Sequence, residues 1–106
     1  MALRELTKEE RDLARRKALA ARVERAELKE AFGAGRVSFE GVLAKAEKSE
    51  AVARLKTVEL LEALPGVGKV TAVRTLEDLG ISENRRIGGL GIKQRTALAR
   101  HLVEHG

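Results

Sequence analysis

The only proline in this chain of 106 residues, Pro65, lies in the run Leu64-Pro65-Gly66-Val67-Gly68-Lys69, with helical patterning on both sides. Proline has no amide with which to continue a helix, so the helix before it has to stop there. The glycines permit positive φ and close backbone approach, and the next helix begins with its free amides pointing outward. Those amides, at the positive end of the helix dipole, form an anion site that reads a phosphate by backbone, with Lys69 adding charge. Affinity built in this way is largely independent of base sequence. An ordinary tight αα turn also favours Gly and Pro, but it rarely needs two glycines and a lysine. The spacing departs from Gly-x-x-x-x-Gly-Lys-Ser/Thr, so the run is not a Walker A loop.

The rest of the chain reads as helix. Its apolar residues are mainly Leu, Val, Ile and Ala, with little strand-like alternation. Thr7 followed by Glu10 forms a capping box, which predicts a helix from near Lys8 to about Phe32, ahead of Gly33-Ala34-Gly35. Along it Ala14, Ala18, Ala21, Leu28 and Phe32 follow helical spacing, but alanines bury little area at about 25 cal/mol per Å². The amino-terminal arm, residues 1–36, is therefore expected to be mobile in the free protein and to become ordered on its partner. On another face Arg11, Arg15, Arg22, Arg25 and Lys29 form a basic stripe; the alternative is a solvated face laced by pairs such as Asp12 with a nearby arginine.

Ser38 and Ser49 are expected to cap two shorter helices, and Thr57 a third from Val58 to Leu64 whose Leu60, Leu61 and Leu64 face a core. A further helix should run from Lys69 to Leu79, closed by Gly80, with Val70, Val73, Leu76 and Leu79 on its buried side. After a turn from Ser82, the last helix is expected from Ile92 to about Glu104. The predicted fold class is all-α, a long amino-terminal helix attached to a compact multi-helix body of residues 37–106.

A second glycine-rich element, Asn84-Arg85-Arg86-Ile87-Gly88-Gly89-Leu90-Gly91, leads into that last helix. Adjacent Arg85 and Arg86, together with Gly91, Ile92 and Lys93 near the helix start, make a candidate second phosphate clamp; a solvated loop is the plainer alternative.

Lys plus Arg number 21 against 16 acids, a net charge of +5 that suits polyanionic partners as well as solubility. The aromatic residues are Phe32 and Phe39, too few for base stacking to be the main binding mode, which favours duplex over single-stranded nucleic acid. The absence of cysteine excludes a disulfide framework and thiolate metal sites, and makes a reducing cytoplasm the expected location. No apolar run approaches the roughly 18 to 20 residues that span a bilayer, and the start lacks a signal-peptide apolar region, so no membrane partner is expected.

Catalysis is not expected, and no cofactor is implied. It would need an activated nucleophile or metal carboxylates, yet Asp occurs only at positions 12 and 78 and no Cys exists. The string His101-Leu102-Val103-Glu104-His105 matches the H-x-x-E-H pattern of zinc peptidases. It sits in a terminal turn without a third ligand, and histidines there suit the carboxyl end of a helix.

The hairpin and the Ala72 that follows resemble helix-hairpin-helix and helix-two-turn-helix DNA-binding motifs. More broadly, the chain resembles the actinobacterial integration host factor family. The likeness rests on Met1-Ala2-Leu3, on Leu64-Pro65-Gly66-Val67-Gly68-Lys69-Val70, and on Gly80-Ile81-Ser82-Glu83 running into Arg85-Arg86-Ile87-Gly88-Gly89-Leu90-Gly91, and it extends over nearly the whole chain. It implies a nucleoid-associated, helix-two-turn-helix protein that binds double-stranded DNA, shapes or compacts it, and supports recombination and gene regulation; a monomer is the expected state, although the sequence itself does not fix the oligomeric state.

The expected DNA-binding residues are Pro65, Gly66, Val67, Gly68, Lys69, Val70 and Thr71 at the hairpin. Arg85, Arg86, Gly89, Gly91 and Lys93 are expected at the second element, and Arg15, Arg22 and Arg25 along the arm. The family typically carries an arginine where Gly88 stands, so one side-chain contact is expected to be missing. The rival reading is RNA binding, since one class of small-subunit ribosomal protein shares the helix-two-turn-helix arrangement. That class usually carries a long basic tail, whereas this sequence ends at His105-Gly106.

Overall fold

The computed structural model describes residues 5–105, so Met1-Ala2-Leu3 and Gly106 lie outside the described residues. Among the described residues six α-helices follow one another: α1 (Lys8–Gly33), α2 (Phe39–Lys48), α3 (Glu50–Ala53), α4 (Thr57–Glu62), α5 (Lys69–Asp78) and α6 (Ile92–His105). A single 3-10 turn, Ile87–Gly89, precedes α6. Among the described residues the only strand-like pairing is an isolated antiparallel bridge between Lys56 and Arg86. The expected all-α architecture is what the chain adopts.

Local hydrogen bonds set most helix starts. At α1 the Thr7 hydroxyl accepts the Glu10 amide at 3.1 Å while the Glu10 carboxylate accepts the Thr7 amide at 3.0 Å, completing the capping box. Ser38 and Ser49 accept the amides of Gly41 and Val52, as expected of N-caps. The third short helix differs from expectation: Lys56 is its N-cap and Thr57 its first residue. Thr57 is fully buried, and its amide donates to the carbonyl of Arg85 at 3.0 Å. A distant segment, rather than a side-chain cap, therefore places α4. At the end of α5 the cap is Leu79, and Gly80, at φ 72°, lets the Ile81 amide reach back to the Leu76 carbonyl at 2.8 Å.

The core gathers Leu28 and Phe32 from α1, Phe39 and Val42 from α2, Val52 and Leu55, Leu60 and Leu61 from α4, and Ala72 and Leu76 from α5. Ile81, Ile87, Leu90 and Leu98 close it from the carboxyl-terminal side. α5 turns differently from the sequence reading. Ala72 and Leu76 are buried and Val73 and Leu79 partly so, but Val70 is 71% exposed.

Anchoring of α1 is one-sided. Its 26 residues span about 39 Å at 1.5 Å per residue, which accounts for much of the 51 Å long axis of the molecule. Only Leu28 and Phe32 are buried in it, whereas residues 13–20 are all exposed. The alanine-rich half leaves the body as a continuous helix, and Ala14 and Ala18 bury nothing substantial. Near its end a Cβ on Gly33 would lie 2.2 Å from the Ala63 carbonyl oxygen. That backbone approach fixes where α1 crosses the end of α4, immediately before the hairpin.

Candidate nucleic-acid interface

Leu64-Pro65-Gly66-Val67 forms a type II turn. Its closing bond runs from the Val67 amide to the Leu64 carbonyl at 3.1 Å, and Gly66 takes the required positive φ of 77°. Gly68 serves a different purpose. Its φ of −88° and ψ of 177° are open to any residue, and a Cβ there would meet nothing within 4 Å. Of the two freedoms that the sequence assigns to this pair, positive φ is used by Gly66, and Gly68 can serve only the close backbone approach. What Gly68 leaves is empty space directly before α5.

As the N-cap of α5, Gly68 has no side chain to accept the first amides, and no other side chain caps them. Helices α1 to α4 each carry a glutamate in the first turn, whereas α5 and α6 carry no acid there. The amides of Lys69, Val70 and Thr71 stand at an unneutralised positive helix end beside an exposed lysine. The start of α6 repeats the pattern. Gly91 accepts the Arg95 amide at 2.9 Å as an N-cap would, and Lys93 lies in the first turn. Gln94 returns its side-chain oxygen to the Gly91 amide at 2.9 Å, which orders the entry without covering the helix end. Val70 and Ile92, 71% and 75% exposed, project from these two first turns.

Arg85 and Arg86 do not act side by side. Arg86 is extended and bridged to Lys56, so consecutive side chains leave on opposite sides. Arg85 folds over the 3-10 turn and donates to the Gly89 carbonyl at 3.2 Å, towards the start of α6. Arg86 donates to the carbonyl of Arg54 and lines a separate cleft with Arg22, Arg25 and Lys29 of α1. Arg54 and Lys56 complete that cleft; both were missed in the sequence, where the only signal is their placement on either side of buried Leu55. Arg15 lies elsewhere, paired with Asp12 at 3.6 Å on the exposed half of α1. The stripe read from the sequence is therefore divided.

At Gly88 the backbone approaches α3 so closely that a Cβ would sit 2.8 Å from the Ala53 Cβ. Packing explains why glycine suits this position here. Near the carboxyl terminus the His101 and His105 rings lie with centroids 4.5 Å apart and planes tilted by 34°, and among the described residues no group of three metal-ligating side chains forms. No helix is long and apolar enough to cross a membrane among the described residues.

Residues 32–102 match the family model of the S13-like H2TH domain, a span that contains both glycine-led helix starts. Over all 106 residues the chain is 44% identical to the integration host factor of Streptomyces coelicolor, covering 99% of that protein. It is 48% identical over 98 residues to the integration host factors of Mycolicibacterium smegmatis and Mycobacterium tuberculosis, covering 92% of this chain and 93% of each relative. The chain belongs to the integration host factor family. A solved structure of a family member, described as sIHF bound to an 8bp palindromic DNA, aligns with a TM-score of 0.78 at 44% identity, covering 81% of this chain and 97% of that one. The integration host factor fold thus brings the hairpin, Lys69, Lys93 and Arg85 to helix entries open to solvent, and sets Arg22, Arg25 and Arg86 around a different hollow.

Proposed function

We propose that this chain is a non-enzymatic, nucleoid-associated protein that binds double-stranded DNA through the phosphate backbone, largely without regard to sequence, and thereby shapes or compacts chromosomal DNA. The observation that carries the proposal is the start of α5, a glycine-capped helix end with no acid, three uncapped amides and Lys69 alongside. Such an end binds an anion by dipole and backbone N–H groups, without reading a base. The names of the relatives and the DNA bound to the solved family member support duplex DNA as the partner, and they favour it over the RNA-binding alternative.

In this account Pro65 and Gly66 shape the turn, Val67 holds it against the core, and Gly68 leaves room for a phosphate. Lys69, Val70 and Thr71 present the amides. Gly89, Gly91, Lys93 and Arg85 form the second contact, and the exposed arm bearing Arg15 extends along the duplex. The protein acts as a monomer in the cytoplasm on nucleoid DNA, with residues 1–36 as the arm and 37–106 as the body, in support of recombination and gene regulation.

Gly68→Ala tests the proposal cleanly because its backbone accepts alanine and its methyl would enter open space. Stability should change by less than about 1 kcal/mol, since the freedom lost by the unfolded chain is set against the poorer fit of alanine than glycine at an N-cap. Affinity for duplex DNA should nevertheless fall by about tenfold, the equivalent of one lost charge-assisted contact of roughly 1.4 kcal/mol. Wild-type affinity in a stable variant would remove the α5 helix end from the interface.

A further inference from the structure

We infer that the cleft between α1 and the Arg54–Lys56 segment is a separate binding site for a compact oligophosphate, such as inorganic triphosphate or the phosphate tail of a nucleotide. The hollow has a volume of about 510 Å³, room for several linked phosphates rather than one. Three stretches of chain deliver its charge: Arg22, Arg25 and Lys29 from α1, Arg54 and Lys56 from the turn before α4, and Arg86 from the segment bridged to it. Glu59 is the one acid in the lining. Among the described residues only Arg54 of the six cations is ion-paired, with Glu50 at 2.6 Å. Like charges gathered in a concave site repel one another and focus a positive field there, which an anion of high charge density relieves.

One wall of the site is fixed before any ligand arrives. The Ile87 amide donates to the Leu55 carbonyl at 2.8 Å, the Thr57 amide to the Arg85 carbonyl at 3.0 Å, and the Arg86 guanidinium to the Arg54 carbonyl. Those bonds hold one wall in place, so little ordering cost falls on the ligand.

Two features distinguish the cleft from the duplex-binding hairpin. Towards the hairpin, the next hollow along the groove between α1 and α4 is lined by Glu30, Glu59 and Glu62 with Lys29. A phosphate strand leaving the hairpin by this groove would have to pass three carboxylates. The lining also contains no aromatic ring: Phe32 and Phe39 are both buried in the core. A base would find nothing to stack on, so recognition is confined to the phosphates.

The test is a calorimetric titration of the full chain with inorganic triphosphate and with a nucleoside triphosphate at moderate ionic strength. Saturable one-to-one binding is expected, with the two ligands alike within about threefold because only phosphates are read. Lys29→Ala with Lys56→Ala should weaken triphosphate binding by about tenfold or more, as two charge-assisted contacts vanish. Lys29→Arg with Lys56→Arg should retain it, which separates lost charge from a damaged fold. Lys69→Ala with Lys93→Ala, on the hairpin face, should leave triphosphate affinity within about threefold, since neither lysine lines the cleft and solvent-exposed charges outside it are screened by salt. The inference is overturned by non-saturable binding, by unchanged affinity in the Lys29, Lys56 alanine variant, or by an equal loss in the Lys69, Lys93 variant. A much tighter nucleoside triphosphate would also overturn it. These readouts involve no DNA, so they fail or succeed independently of the duplex-binding proposal.

Discussion

Gly66 and Gly68 are neighbours in one short run, yet their demands are opposite. At Gly66 the φ of 77° is hostile to an L side chain, so Gly66→Ala should lower stability by about 1 to 2 kcal/mol as well as weaken DNA binding. A denaturant midpoint that falls with unchanged slope would confirm the strain, and an unchanged midpoint would refute it. Gly33→Ala should also destabilise, by about 1 to 3 kcal/mol, because the Ala63 carbonyl oxygen occupies the space a Cβ needs. Its loss should appear in stability and leave the α5 helix end chemically intact. The sequence cannot separate these glycines by role. A helix entry, a positive-φ turn and a close helix crossing all ask for the same small residue, and only the backbone angles and the facing atoms distinguish them. The adjacency of Arg85 and Arg86 misleads in the same way, since an extended backbone sends neighbours to opposite sides.

Among the elements, those whose geometry depends on nearby residues were the most legible. Thr7 with Glu10, Ser38 and Ser49 mark helix starts because each cap closes within three residues. Ser38→Ala should therefore cost about 1 kcal/mol by removing the acceptor of the Gly41 amide, measurable as a lowered thermal midpoint without change in DNA affinity. Thr57 misleads as a cap because α4 is set by the Arg85 carbonyl, a bond between segments far apart in sequence. Val70 misleads as a core residue because helical periodicity continues through the first turn of α5, while that turn projects beyond the body. The same reasoning divides α1. Amides of residues 8–20 should exchange much faster than those of residues 26–33, since only Leu28 and Phe32 are buried and a short helix without packing is marginal in water. Duplex DNA should slow exchange in the exposed half. Strong protection there without DNA would show that the helix needs no partner.

For the whole molecule, the positive excess is spread between two glycine-led helix ends and a basic cleft, with glutamates lining the groove between α1 and α4. The cleft could not be read from the sequence, because Arg54 and Lys56 meet Arg22 and Arg25 only after α1 packs on the body. The hairpin could, because its turn and helix entry are contiguous. Under the proposed function the hairpin face binds duplex phosphates and reads no bases, and salt dependence tests this most directly. Affinity should be measured for several unrelated duplexes at graded salt, with single-stranded DNA and structured RNA as competitors. The duplexes should agree within a few-fold and share one negative slope of log affinity against log salt, about −0.9 for each phosphate neutralised. Arg85→Ala should make that slope shallower by about 0.9 on every duplex alike. A slope near zero, a strong preference for one duplex sequence, or tighter binding of structured RNA would contradict the account.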